Sequence, residues 1–373
     1  MKILQISNYL YPHIGGIEQV ARDCINALSE HEQKLICFNH ENGTIKDIVD
    51  GVEVVRVGCQ AKISSQSIAL GYGRQLKKLI NEFLPEVIIF HYPNPFVAYS
   101  LLKILKRHPE IKLVLYWHLD IFKQKFLKKF FHGQNKKLCK RADKIVATSP
   151  NYIEHSEYLP YYKEKCVVVC NCVNTDRLVD NEEISAKVEE IKNQNKGKTI
   201  CFAFGRHVPY KGMEYLVRAS KHLDENFKVY IGGKGPLTDS LKELATNDEK
   251  VCFLGVLSEN DLVAYLTACD IFCFPSITKN EAFGIGLAEA MLFEKPVVTF
   301  TIEGSGVNYV SINKTTGLEV PNGDVVAYAK AITDLSNDKD TCKKFGQAGK
   351  ERVLENFTLE KFKKDIKTLI ERI

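Results

Sequence analysis

The 373-residue chain has no long hydrophobic run. No segment approaches the ~18 uncharged apolar residues that cross a bilayer. The opening "MKILQISNYLYP" holds one Lys but no apolar stretch of signal-peptide length. Both absences point to a chain that works in the cytoplasm. Twelve cysteines without an export signal then read as reduced thiols rather than a disulfide framework. Cys170 and Cys172 lack a second pair at zinc-ligand spacing, so no metal site is read there. The dinucleotide fingerprint G-x-G-x-x-G is missing, which counts against a nicotinamide cofactor. G-x-x-x-x-G-K-[ST] is missing too, which excludes a Walker-type NTPase. Repeats and low-complexity tracts are also absent.

What is present is a globular composition. Hydrophobic content of 45% and charged content of 26% are ordinary, and the length favours two domains, each able to bury a core. The net charge of +5 is modest but unevenly spread. "FKQKFLKKFFHGQNKKLCKR", Phe122 to Arg141, carries eight Lys/Arg and no acid. Phe126, Leu127, Phe130 and Phe131 fall on one helical face with Lys123, Lys125, Lys128 and Lys129 around them. Two readings stand side by side: a core-facing helix with a solvated basic face, or a surface helix that docks on anionic lipid headgroups or an anionic acceptor. Nucleic acid is not expected, because no stacking or groove-binding motif accompanies the charge.

Short apolar runs alternate with amphipathic stretches, the pattern of βαβ units and parallel sheets. In the first half the strand candidates are "KILQIS", "KLICFN", "VEVVRV", "EVIIFH", "KLVLYW" and "KIVATS", with helices expected over Gly16–Ser29, Ile68–Phe83 and Pro95–Arg107. After "CVVVCNCVNTDRLVDNEEI" a second series follows: "TICFAF", "FKVYIG", "VCFLG", "IFCFP", "PVVTF" and "GLEVP". Two doubly wound α/β domains in tandem are therefore expected, 1–172 and 173–356. An amphipathic helix at about 357–373 has no strand after it and is expected to pack back on the first domain.

Ligands of open parallel sheets sit beyond the carboxyl ends of the strands. Five loops fall there: "NYLYPHIGGIEQ", "WHLD", "FGRHVPYKG", "GGKGP" and "NEAFGIG". Domains facing each other would bring them to one cleft. Gly15-Gly16 opens a helix, where backbone N–H groups and the helix dipole favour an anion; taken alone it reads more simply as a tight turn. Arg206 and Lys211 leave the first strand of the second domain five positions apart, a fork and a point charge suited to a diphosphate. In "NEAFGIGLAEAM", Glu281 precedes a helix that Phe283, Gly284 and Ile285 open, and Glu289 lies within it. A wholly helical stretch would set the two carboxylates roughly 12 Å apart, which suits a ligand with hydroxyls at both ends. Dipole compensation at Glu281 and solvation at Glu289 explain the pair equally well. "LSENDL" reads as a capped helix start at Ser258, and the D-x-D at Asp338–Asp340 reads as a cap.

Taken in order, "GGIE", "WHLDIFKQK", "FGRHVPYKG", "GGKGP", "VCFLGVLSENDL" and "EAFGIGLAE" resemble glycosyltransferase family 4 over nearly the whole chain. The resemblance implies the GT-B architecture, two Rossmann-like doubly wound domains facing a cleft, the first taking the acceptor and the second the nucleotide sugar. "FHYPNP", "ATSPNY" and "GSGVN" look most like bacterial enzymes that add mannose or related hexoses to O-antigen or capsule precursors. It further implies that Gly15 and Gly16 face the donor diphosphate or the acceptor, and that Arg206 and Lys211 neutralise the leaving diphosphate. Glu281 and the backbone of Phe283, Gly284 and Ile285 would hold the donor sugar, Glu289 the ribose, and backbone near Leu257 the base. His118, beside Asp120, matches a family histidine near the sugar. Where many relatives read H-S-D and I-P-G-S-G-V, this chain has His118-Leu119-Asp120 and Ile302-Glu303-Gly304-Ser305-Gly306-Val307.

The expected activity is retaining, metal-independent transfer of a hexose from a GDP- or UDP-linked donor to a glycan or lipid-linked glycan. No cofactor is expected, and the place is the cytoplasm, with peripheral contact at the inner membrane face. Two rivals remain: a nucleotide-sugar 2-epimerase, and a non-catalytic nucleotide-sugar-binding protein.

Overall fold

The computed structural model describes residues 1–13, 15–63, 66–120, 125–178 and 181–373, with backbone alone at 62, 63, 66, 125–130, 177 and 178. Two compact units divide the chain: Met1–Asn171 with Glu360–Ile373, and Cys172–Leu359.

In the first unit the strands are β1 (Lys2–Ile6), β2 (Glu32–Phe38), β3 (Ile45–Val49), β4 (Val52–Val57), β5 (Ala61–Ile63), β6 (Gln66–Ile68), β7 (Val87–Tyr92), β8 (Lys112–Trp117), β9 (Lys144–Ala147) and β10 (Cys166–Val168). Eight of them form one sheet in the order β10-β9-β8-β7-β1-β2-β4-β3. Every pair in it is parallel except β3 with β4. Continuous apolar runs such as "VIIFHY" are buried along their whole length, as strands covered on both faces must be. β3, "IKDIV", is mostly exposed at the sheet edge, and its polar character hid it from periodicity. β5 and β6 pair as a separate antiparallel hairpin. β6 takes Ile68, so the helix expected from Ile68 begins at Tyr72 instead. The chain's last helix, Leu359–Glu371, buries Phe362, Ile366, Leu369 and Ile370, and its Lys367 Nζ lies 2.8 Å from Glu30 in the first unit.

The second unit is a six-stranded parallel sheet of β11 (Thr199–Phe204), β12 (Phe227–Gly232), β13 (Val251–Gly255), β14 (Ile271–Phe274), β15 (Val297–Phe300) and β16 (Gly317–Val320). Its order is β13-β12-β11-β14-β15-β16. The winding direction reverses between β11 and β14, and in the first sheet between β1 and β7. Such switch points leave a crevice at the carboxyl ends of the strands. Thus each expected strand forms, in two doubly wound sheets.

Candidate functional site

The second unit's switch point is built by backbones that come unusually close. Gly205 N–H donates to the Gly232 carbonyl at 3.1 Å, and Gly233 N–H to the Gly255 carbonyl at 2.5 Å. A side chain at Gly233 would run into the Gly205 carbonyl, and one at Gly212 into the Pro275 carbonyl. Gly212 also sits at φ +61°, a region that disfavours any Cβ. The glycines of "FGRHVPYKG" and "GGKGP" therefore lock the ends of β11, β12, β13 and β14 together. Together they make the floor of a site.

On that floor Lys211 and Glu281 meet. Lys211 ends the short 3₁₀ turn Pro209–Lys211, and Glu281 lies in the loop after β14. Their Nζ and Oε2 are 2.5 Å apart, with side chains only 17% and 11% exposed. Ser276 Oγ donates to the same Glu281 oxygen at 3.2 Å. Burial alone would lower the Lys211 pKa, but the charge and hydrogen bond of Glu281 outweigh it and leave the ammonium raised above its ordinary value. Lys211 also stands over the Phe274 ring, 5.1 Å from its centroid. Arg206, by contrast, is exposed. The two cations expected to act alike thus differ: one is locked to a carboxylate, the other is presented to solvent.

The helix after this loop runs Ile285–Leu292, so Glu281 precedes it as expected, and the spacing of a wholly helical stretch does not apply. Gly284 turns the chain at φ +93°, which only glycine takes without strain. Phe283 is buried edge-on against Phe357, so only its backbone is available to a ligand. Ile285 and Glu289 are half-buried at the start and middle of the helix. Ser305 Oγ donates to the Glu281 carbonyl, and Gly306 N–H to the Ala282 carbonyl at 3.2 Å. The "GSG" segment thus braces the Glu281 loop from behind. Leu257 is half-buried and packs over Gly232. Ser258 caps the next helix by accepting from Asp261 N–H at 3.1 Å, and Asp338 caps another by accepting from Thr341 N–H at 2.9 Å, both as expected.

In the first unit, Gly15 is the extended N-cap of the helix Gly16–Ala27. The Glu18 carboxylate lies against it, where a Gly15 side chain would stand. His118 follows β8 and is 4% exposed. Its Nε2 lies 3.1 Å from Nδ1 of His91, which is fully buried on β7. Burial, helped by His91, pushes His118 well below the ordinary imidazole range, and burial holds His91 at about 3. Asp120 has partners of its own. It accepts from Trp117 Nε1 at 2.8 Å, from Ser156 Oγ at 2.9 Å and from Glu157 N–H at 3.1 Å, so it braces the chain between β8 and β10. Of the basic stretch, Lys123 lies outside the described residues, as do the side chains of Lys125, Lys128 and Lys129. The later part of the helix Lys125–Arg141 packs inward through Phe131, Leu138 and Cys139.

Residue types alone did not point to Ser276, Ser305 or Gly306, nor to His91. The signal for His91 was available: a polar residue inside the otherwise apolar strand "VIIFHY".

Family models match both units: "Glycosyltransferase Family 4" over residues 14–177 and "Glycosyl transferases group 1" over residues 185–352. A D-rhamnosyltransferase, WbpZ, of Pseudomonas aeruginosa is 30% identical over 367 residues, covering 96% of this chain and 92% of that protein. The chain belongs to glycosyltransferase family 4. O-antigen chain mannosyltransferase C of Escherichia coli is 27% identical over 366 residues, covering 96% of this chain and 95% of that one. Among solved structures, a sucrose-phosphate synthase from Thermosynechococcus elongatus superimposes with a TM-score of 0.82 at 19% identity, covering 100% of this chain and 98% of that chain. The fold of this family 4 glycosyltransferase is accordingly GT-B. Among the described residues, no helix is long and apolar enough to cross a membrane.

Proposed function

We propose that the protein is a retaining, metal-independent hexosyltransferase of bacterial surface-polysaccharide assembly. It moves a hexose from a nucleotide diphosphate sugar to a hydroxyl of a glycan or lipid-linked glycan. The observation that carries this reading is the Lys211–Glu281 pair at the second unit's switch point, with Arg206 exposed on the same loop as Lys211. Arg206 offers a planar fork to the diphosphate. Lys211 supplies a second charge already fixed in place, and the Ile285 helix start adds its dipole. These groups provide the positive charge that a metal would otherwise bring. Glu281, held by Lys211 and Ser276, accepts from sugar hydroxyls with its remaining lone pairs, and Glu289 accepts from ribose. The base lies against backbone near Leu257.

As the bond from the anomeric carbon to the phosphate oxygen breaks, the acceptor oxygen bonds to that carbon on the same face. The acceptor proton passes to the departing phosphate. Positioning and charge stabilisation supply most of the rate. Glu18 beside Gly15 disfavours a second anion there, so we assign Gly15 and Gly16 to acceptor hydroxyls rather than to the diphosphate. We assign His118 to a sugar hydroxyl at the first unit's switch point. The relatives are named for mannose and D-rhamnose, which share an axial 2-hydroxyl, so the donor hexose is assigned the manno configuration. Work on a lipid-linked acceptor places the protein in the cytoplasm, against the inner membrane face.

A thermal-shift screen with GDP and UDP tests donor binding, because a ligand held by the native state raises the midpoint. A rise with one of them, lost in Arg206→Ala, supports the reading; no rise with either contradicts it.

A further inference from the structure

The contact between His91 and His118 is one step of a longer buried chain. His91 Nε2 lies 3.1 Å from Gln5 Oε1. Gln5 Nε2 donates to Gln33 Oε1 at 3.0 Å. Gln33 Nε2 donates in turn to the carbonyls of Ile25 and Leu28, at 2.9 and 2.8 Å. Gln5 and His91 are fully buried, and Gln33 is 8% exposed. The chain runs through β2, β1 and β7 to the residue after β8, ending at the first unit's switch point.

Its direction is set at the far end. Backbone carbonyls accept and never donate, so Gln33 must turn its amide nitrogen toward them. Its oxygen then faces Gln5, which must donate, and the Gln5 oxygen is left to accept from His91. His91 therefore carries its proton on Nε2 and accepts on Nδ1. His118 must supply that hydrogen from its own Nε2, which leaves Nδ1 with a lone pair. Among the described residues His118 Nδ1 has no hydrogen-bond partner. Tyr116 stacks on the imidazole at 4.5 Å and holds the ring plane.

We propose that Gln33, Gln5 and His91 are positioning residues that fix His118 as its neutral Nε2–H tautomer, so that Nδ1 accepts a hydrogen bond from a sugar hydroxyl. The helix Gly16–Ala27 thereby dictates, from its carboxyl end, which atom of His118 the substrate meets. The role of the sugar rests on the transferase reading above; the tautomer does not. A histidine held this way has no hydrogen on Nδ1 to donate. It orients a hydroxyl by accepting from it.

Two measurements test this on the full chain. The first is ring-nitrogen NMR of protein labelled with ¹⁵N-histidine, the signals of the two rings assigned with His91→Phe and His118→Phe. Protonated Nε2 and unprotonated Nδ1 on both rings at neutral pH are expected. An Nδ1–H tautomer or an imidazolium at His118 overturns the proposal. The second uses Gln5→Leu, which cuts the chain at its middle. A mixed His118 tautomer is expected, with kcat falling about tenfold or more, the size of loss seen when the partner that orients a metal-bound imidazole is removed, and donor KM within about twofold. A mixed tautomer with unchanged kcat overturns it. If Gln5→Leu does not fold, the wild-type spectra still decide. If the wild type turns over no donor, the transferase reading fails while those spectra uphold or overturn the tautomer.

Discussion

Lys211 and Glu281, 70 positions apart in the chain, form an ion pair of 2.5 Å at the point where the second sheet reverses its winding. This pairing changes what a substitution at Lys211 measures. Removing Lys211 alone leaves a largely buried Glu281 with Ser276 as its remaining side-chain donor in view, and an uncompensated buried charge is costly. Lys211→Met is expected to lose about 3 kcal/mol of stability in urea unfolding. Adding Glu281→Gln should recover at least half of it. Additive losses would show that the pair is not coupled.

Arg206 separates catalysis from folding more cleanly. Its side chain is exposed and carries no structural ion pair in view among the described residues. Arg206→Ala should leave the urea midpoint unchanged and lower transfer by roughly 10²–10³-fold, the usual size for removing one preorganised donor from developing charge. A drop in stability matching the drop in activity would contradict this division of labour.

The glycine floor makes a paired prediction. Gly212→Ala combines a positive φ with collision against the Pro275 carbonyl, and should cost about 3 kcal/mol. Gly197→Ala has a positive φ of +84° but open space around it, and should cost only about 1 kcal/mol. Equal costs would mean that the close approach of backbones carries no weight.

Acid sensitivity should begin above the carboxylate range. The folded pKa of His91 is about 3, held down by burial, against about 6.5 in the unfolded chain. Between those values the unfolded state binds the extra proton, so stability is whole above pH 6.5 and falls as pH drops. His91 alone should remove about 2 kcal/mol by pH 5. His118, lowered in the same direction, adds to it. Urea midpoints from pH 7 to pH 5 check this, and His91→Phe should flatten the slope. A wild-type midpoint constant over that range would contradict neutral burial.

Much of the fold was legible because buried parallel strands are short apolar runs, and "KLVLYW" or "FKVYIG" cannot be mistaken for polar loops. β3 escaped because "IKDIV" is solvated at a sheet edge. The motifs at strand ends were legible as positions, since parallel sheets place ligands there. Their pairings were not. Nothing local in "VPYKG" says that Lys211 closes on Glu281, or that Gly212 exists to admit the Pro275 carbonyl. Asp120 looked like a companion of His118 because the two are neighbours in sequence. The folded chain instead gives Asp120 to Trp117 and Ser156, and gives His118 to His91, 27 residues earlier. Gln5 and Gln33 were hidden in strands whose apolar neighbours dominate the pattern.

The central claim is glycosyl transfer driven from the Arg206 loop. Its most direct test incubates the purified wild type and Arg206→Ala with a panel of GDP- and UDP-linked hexoses, with and without a lipid-linked glycan acceptor. Release of the nucleoside diphosphate and the fate of the sugar are followed together. The account predicts that one donor of manno configuration is consumed by the wild type, that its sugar appears on the acceptor with the anomeric configuration kept, and that Arg206→Ala loses this. Epimerised donor, binding without turnover, or equal turnover by Arg206→Ala would contradict it.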